Sequence, residues 1–298
     1  MSLPTITLTA EELSTKRLSP YHLQTALEAL HRDGIVVLTN AIRPVDALDK
    51  LNAEMVPRAR QLFADGATQR NFGEATGNIQ QEPPMRADLL FPSVVANPFA
   101  TEIVSCIVGP EPCLRYYSAN TLFRTETQGR QPPHVDINFP CPVMPFGYLI
   151  SIYLVDVGPE NGATEFWPGS HKVVADFNHV VPEELLEQRR KIAPPVQPTL
   201  PRGSLVIRDF KLWHAGLPNK TDEPRVMLGT ALLARWWQCK MTTPWPKTLA
   251  DKDAFDWGGV TPCLRFVEEG EEYKRDVAKG DYDFSQVLER PAEENSTE

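Results

Sequence analysis

The hydrophobic period of this chain changes near residue 112, and that switch limits the folds open to it. Before the switch, apolar residues recur at steps of three and four. Leu23, Ala26, Leu27 and Leu30 form one run; Leu48, Leu51, Met55, Ala59 and Leu62 form another. Each is the buried stripe of an amphipathic helix. Gly34 ends the first run, and Ile35 to Leu38 reads as a short buried strand. Pro57 falls inside the second helix, Pro44 to Ala64, and is expected to kink or divide it. Asn97-Pro98 is a cap and first-turn pair for a helix reaching Val108, which Gly109-Pro110 stops. Between these helices, Asp65 to Arg86 is polar and punctuated by Gly66, Gly73, Gly77, Pro83 and Pro84. It reads as a long loop, with a lid as its functional reading.

Beyond the switch the period is two. Leu114, Tyr116, Ser118, Asn120 and Leu122 alternate with other residues, and Tyr148 to Val157 is rich in β-branched and aromatic residues. Thr164 to Trp167, Ser204 to Arg208 and Val226 to Leu233 are further strand candidates. Turn signals separate them, among them Gly158-Pro159-Glu160-Asn161-Gly162 and Pro201-Arg202-Gly203. Many short strands with such turns predict a mainly β fold, a jelly roll whose one sheet is covered by the helices. The expected organisation is a single domain over 1–290. It has a helical part at 20–110, a jelly-roll core at about 112–240, and a disordered tail at 291–298.

Composition narrows the function. The 298 residues include 39 acidic and 30 basic side chains, a net charge of −9. An acidic chain is poorly suited to neutralising phosphates, so nucleic acid is not an expected partner. No apolar run is long enough to span a bilayer, and the start carries no basic-then-apolar leader. The last residues are not a Ser-Lys-Leu address. The five cysteines are odd in number and form no Cys-x-x-Cys pair. A disulfide framework or thiolate zinc site is therefore not expected, and an intracellular, cytoplasmic setting fits best. The sequons at Asn219 and Asn295 then read as chance matches.

The chemistry concentrates in a few residues. In Pro133-His134-Val135-Asp136, an extended backbone turns His134 and Asp136 to the same side. His214 lies in Leu212-Trp213-His214-Ala215-Gly216, just after a strand candidate, and Arg225 opens the next strand. A bare His-x-Asp is weak and occurs by chance in many chains, and for His134 alone a surface or hydrogen-bonded histidine is the favoured reading. Two imidazoles and one carboxylate, however, form the facial triad of non-haem iron(II) oxygenases. Such a triad leaves three of six octahedral positions open. A bidentate 2-oxo acid can fill two and dioxygen the third. A buried arginine such as Arg225 can pair with the far carboxylate of that acid.

With His134-x-Asp136, the stretch Asn161-Gly162-Ala163-Thr164-Glu165-Phe166-Trp167-Pro168-Gly169-Ser170-His171, and Trp213-His214-Ala215-Gly216 with Arg225, the chain resembles the phytanoyl-CoA dioxygenase family over roughly residues 25 to 240. That family comprises iron(II)- and 2-oxoglutarate-dependent oxygenases. Gly77-Asn78-Ile79-Gln80-Gln81 and Asp209 to Asn219 are similar to its fungal natural-product members. The resemblance implies iron(II) held by His134, Asp136 and His214, and 2-oxoglutarate held at its far end by Arg225. Gln131 and Thr164 match positions that assist cosubstrate binding, and Asn120 is expected to line the same cavity. His171 falls in a turn of the family motif and reads as structural. On the substrate side, Asn78, Gln80, Ile137, Phe139 and Trp236, with Trp237, are the candidates. The implied reaction is oxidation of a small, largely apolar metabolite, with dioxygen consumed; the resemblance also makes a homodimer an expectation. The rivals are an acyl-CoA hydroxylase and a β-sandwich protein that binds metal without turnover. Halogenation is disfavoured because halogenases lack the carboxylate that Asp136 supplies.

Overall fold

A computed structural model describes residues 2–66, 68–137, 139, 144–175, 177–270 and 281–287, and these hold twelve strands and six α-helices, the helices mostly in the first half. The expected tail at 291–298, Cys141 and the sequon at Asn295 lie outside the described residues. The strands are β1 (Thr5–Thr7), β2 (Ile35–Thr39), β3 (Asn78–Gln81), β4 (Cys113–Leu122), β5 (Gly147–Tyr153), β6 (Glu165–Phe166), β7 (Leu205–Asp209), β8 (His214–Ala215), β9 (Arg225–Leu233), β10 (Thr243–Pro246), β11 (Thr261–Pro262) and β12 (Leu264–Val267). The helices are α1 (Ala10–Thr15), α2 (Pro20–Asp33), α3 (Asp46–Asp65), α4 (Pro92–Val95), α5 (Pro98–Val108) and α6 (Glu183–Ile192).

The helices start and stop where local chemistry requires. Ser19 caps α2 by accepting from the His22 amide, Pro20 follows, and Gly34 closes the helix in a left-handed conformation. Asn97 caps α5 by accepting from the Phe99 and Ala100 amides. α3 buries Leu48, Leu51, Met55, Ala59 and Leu62, the stripe read from the sequence. Pro57 does not divide it: the helix runs through.

The large sheet has the order β1-β2-β7-β5-β9-β4-β11, with β3 also paired to β4. Register sorts its residues by face, because cross-strand partners share a side. One face carries Val36, Leu38, Ile150, Ile152, Leu205, Ile207 and Leu228, packed in one core with Leu30 of α2 and Phe99, Ile103 and Val104 of α5. The other carries Ile35, Val37, Tyr153 and Val206, in a second core with Val157, Ala163, Phe166 and Leu212. Facing it is a small sheet made of β6 and β8. Single bridges extend that sheet: His134 to His214, His134 to Val180, and Phe166 to Val196. The two sheets form a double-stranded β-helix with flanking helices.

One expectation needs correction. The segment Asp65 to Arg86 is not simply a long loop. It contains β3, paired antiparallel with Ala119 to Leu122 of β4. Ile79 packs with Ala59, Leu62 and Phe123. Gln81 donates to the Met55 carbonyl and accepts from the Thr121 hydroxyl, so its carboxamide is satisfied between α3 and the sheet. A strand with one apolar residue among Asn and Gln carries no period-two hydrophobic signal.

Candidate metal centre

His134 and His214 face each other across an antiparallel bridge. His134 N donates to His214 O at 2.9 Å, and His214 N donates to His134 O at 3.0 Å. Directly paired residues put their side chains on one face, so the ring centroids lie 4.3 Å apart. Each Nδ1 donates to a backbone carbonyl, His134 to Pro132 at 2.9 Å and His214 to Leu212 at 3.0 Å. Both Nε2 atoms are thereby left as acceptors aimed at a common point. Asp136, two residues along, puts Oδ1 3.5 Å from His214 Nε2. One ligand atom from each of the three lies within 4.8 Å of the others, and among the described residues no other His, Cys, Asp or Glu trio does so. Cis ligands of an octahedral ion held at about 2.1 Å stand about 3 Å apart, so the set fits one metal ion.

Electrostatics suit that use. Burial pushes the His134 imidazole down to about 4 and His214 well below its ordinary value, with nearby Arg208 adding to the second shift. Both rings are therefore neutral ligands near pH 7. Burial alone would raise the Asp136 carboxyl, but Arg208, His214 and His134 outweigh it and hold it far below the usual range. Arg208 donates to Asp136 Oδ2, which leaves Oδ1 for a metal. Sequence reading missed Arg208. The available signal was a basic residue inside the apolar strand Leu205-Val206-Ile207-Arg208, in alternation with inward-facing Val206.

Arg225 sits on the same inner face of the large sheet and is only 2 % exposed. Its Nη2 donates to the Gly162 carbonyl at 2.8 Å, and its guanidinium carbon lies 5.4 Å from the Tyr153 ring centroid. Its Nε and Nη1 have no hydrogen-bond partner among the described residues. Burial pushes its pKa down, partly opposed by Tyr153. Arg208 is matched by Asp136, whereas among the described residues no carboxylate answers Arg225. A buried cation with two unanswered donors is a cradle for an anion.

The Asn161-to-His171 stretch builds the surroundings. Gly162 supplies the carbonyl that holds Arg225. It must be glycine, since φ is 75° and a Cβ would lie 2.3 Å from Leu122 Cδ2 and 2.7 Å from Leu217 O. Thr164 accepts from the Tyr153 hydroxyl at 2.9 Å, which ties it to the ring beneath Arg225. Ser170 accepts from the Trp213 amide at 2.8 Å and so braces the residue before His214. His171 packs against Gly34 at the end of α2 and lies outside the triad. Gln131 exchanges hydrogen bonds with Gly216 on both sides, Gln131 N to Gly216 O at 2.9 Å and Gly216 N to Gln131 Oε1 at 2.8 Å. It clamps the chain beyond β8. Asn219 is buried, with its amide on the Leu122 and Glu223 carbonyls, so that sequon is structural.

In β3, β4 and β9 all residues are buried except Gln80, Asn120, Met227 and Gly229. Gln80 pairs with Asn120, and Asn120 with Met227. These half-buried positions share the inner face of the large sheet with Arg225. Asn71 donates to Asn120 Oδ1 at 2.6 Å and to Asn78 Oδ1 at 3.3 Å, while Gln80 donates to Ser118 and the Ala119 carbonyl. Ile137 is buried in the main core. Phe139 packs 6.0 Å from Trp237, and Trp237 stacks on Phe146 at 4.2 Å. Trp237, rather than Trp236, joins this cluster; Trp236 is 44 % exposed and meets Trp237 edge-on.

An imidazole pair and a carboxylate brought together on the small sheet, and an unanswered buried arginine on the inner face of the large one, inside a double-stranded β-helix, mark the class of iron(II)- and 2-oxoglutarate-dependent oxygenases. Residues 30–227 match the family described as phytanoyl-CoA dioxygenase (PhyH), and the chain belongs to that family. Among solved structures it is similar to the epimerase SnoN in complex with Fe3+, α-ketoglutarate and nogalamycin RO. That match has 21% identity and a TM-score of 0.53, covering 87% of this chain and 98% of SnoN. It is also similar to AviO1 from Streptomyces viridochromogenes, at 21% identity and TM-score 0.53, over 73% of this chain and 97% of the other. EctD from S. alaskensis matches at 17% identity and TM-score 0.55, over 90% and 93%. At these identities the likeness is one of fold. The protein is an iron- and 2-oxoglutarate-dependent dioxygenase by family and by donor set. No helix among the described residues is long and apolar enough to cross a membrane.

Proposed function

We propose that His134, Asp136 and His214 hold iron(II), that Arg225 takes the far carboxylate of 2-oxoglutarate, and that the enzyme oxidises a small metabolite of natural-product biosynthesis. The observation that carries this reading is the unanswered Arg225 guanidinium on the inner face of the large sheet, the face turned toward the small sheet that holds His134 and His214. When bound, the metal with its 2-oxo acid supplies the oxidising power that attacks an unactivated carbon. The chain's own residues do the rest. Pro132 and Leu212 carbonyls fix the two imidazole tautomers, and Arg208 orients the carboxylate. Thr164 and Tyr153 shape the wall of the cosubstrate pocket, and Gln131 keeps the strand end beyond His214 in place. Gln80 and Asn120 offer carboxamides on the inner face of the large sheet, Asn78 supports them, and Phe139 with Trp237 forms an apolar wall. The helices and the large sheet share one core, which supports a single oxygenase domain.

Anaerobic addition of iron(II) and 2-oxoglutarate tests the assignment, read by the weak visible charge-transfer band of the chelate. The band should form with the wild type and be lost in His134→Ala and Asp136→Ala, with folding retained in both. A full band in either variant would overturn the ligand set. Turnover of terpenoid or alkaloid scaffolds, compared with CoA thioesters, then decides between metabolite oxidation and acyl-CoA hydroxylation.

A further inference from the structure

His134 has two aromatic neighbours besides His214. The Phe72 ring centroid lies 4.6 Å from that of His134, and the His179 ring lies 5.2 Å from it. Phe72 and His179 also stack on each other, 5.5 Å apart with 1° between their planes. Three segments remote in sequence thus close a triangle of rings against one candidate ligand. Both partners are firmly placed. The His179 carbonyl accepts from Val135 N at 3.0 Å, and Val181 N donates to Pro133 O at 2.9 Å, so 179–181 runs beside His134 as a further short strand. Phe72 rides on a turn pinned by Asn71 N to Asn78 O at 2.8 Å and Gln80 N to Gln69 O at 2.9 Å. The Asn71 side chain ties the same turn to Asn120 on the inner face of the large sheet.

Two features set the pair apart from ordinary packing. Among the described residues, Phe72 belongs to none of the hydrophobic clusters that make up the core, although it is half-buried. Phe72 and His179 both hold left-handed backbones, with φ of 61° and 43°. A non-glycine residue adopts that region rarely, and a bulky one only where its surroundings hold it there. Here two such residues stack on one another at the metal centre.

We propose that Phe72 and His179 form an aromatic clasp that fixes the His134 ring and closes one approach to the metal. Both are positioning residues, and Phe72, on the turn that spans from the large sheet to the small one, limits what reaches the ion. The proposal rests on His134 being a ligand. Its test is chosen to separate the two readings.

The wild type, Phe72→Ala, His179→Ala and His179→Phe are loaded with Co(II), and release to excess EDTA is followed. The rate at which nitric oxide, a stand-in for dioxygen, binds the anaerobic Fe(II)–2-oxoglutarate complex is measured in parallel. Phe72→Ala and His179→Ala should each raise both rates roughly threefold to tenfold, the scale of one lost aromatic pair contact. His179→Phe, which keeps a ring in the stack, should stay near wild type, and melting temperatures should move little. Unchanged release and nitric oxide rates in Phe72→Ala would overturn the clasp while leaving the ligand set intact. Failure of the wild type to form the iron–2-oxoglutarate chromophore would instead remove the ligand assignment and the clasp with it.

Discussion

Arg225→Leu separates a cosubstrate-binding arginine from a structural one, because the two roles predict opposite signs for stability. The side chain is 2 % exposed, and two of its nitrogen atoms lack partners among the described residues. Burying a charge without a counter-ion costs several kcal/mol. The bond to Gly162 and the contact with Tyr153 offset about 2 kcal/mol of that. Leucine has similar bulk and no charge. The substitution should therefore stabilise the cosubstrate-free protein by about 1–2 kcal/mol, a rise of roughly 2–4 °C in Tm for a chain of this size. The effect of 2-oxoglutarate should reverse. At about a hundredfold over its Kd it should stabilise the wild type by about 2.7 kcal/mol. Loss of a desolvated charge pair of about 2–5 kcal/mol should weaken binding by roughly thirtyfold or more, so the variant gains little. Thermal unfolding followed by circular dichroism, with and without 2-oxoglutarate, reads both effects. A variant less stable than wild type when free, yet stabilised equally by 2-oxoglutarate, would refute the reasoning and make Arg225 a structural residue.

Two further substitutions probe the frame around the site. Gly162→Ala forces a Cβ against Leu122 and the Leu217 carbonyl at a left-handed φ, so it should cost about 2–4 kcal/mol and weaken 2-oxoglutarate binding by moving the carbonyl that holds Arg225; urea unfolding and a cosubstrate titration check both. Glu12 is buried, which by itself would raise its pKa, but donors from Thr9, Ser19 and His22 lower it from 4.5 to about 2. A carboxyl depressed on folding stabilises fully above pH 4.5 and loses that contribution as pH falls to about 2; it amounts to about 3 kcal/mol, and Glu12→Gln should flatten the stability profile across that window.

Much of the site was legible because it depends on local order. His134 and Asp136 share a side through strand alternation, and an isolated Arg225 at a strand start is conspicuous in an apolar context. The helix stripes and caps were legible for the same reason: three- and four-residue periods and side-chain-to-amide bonds act within a few residues. Arg208, Phe72, His179 and the role of Gly162 were not. Each acts on a residue far along the chain, and the polar strand β3 has no hydrophobic period to betray it.

The amino-acid order alone determined the main helix stripes and caps, the apolar strands and their inward faces, and which side chains can ligate a metal, but not the polar strand β3. Whether those side chains meet was decided by the tertiary pairing of His134 with His214, which places two rings from separate segments 4.3 Å apart. The same pairing of sheets left Arg225 without a counter-charge among the described residues and brought Phe72 across to His179. Local propensities act over a few residues, whereas a binding site is made by backbone hydrogen bonds between segments that only the closed fold brings together.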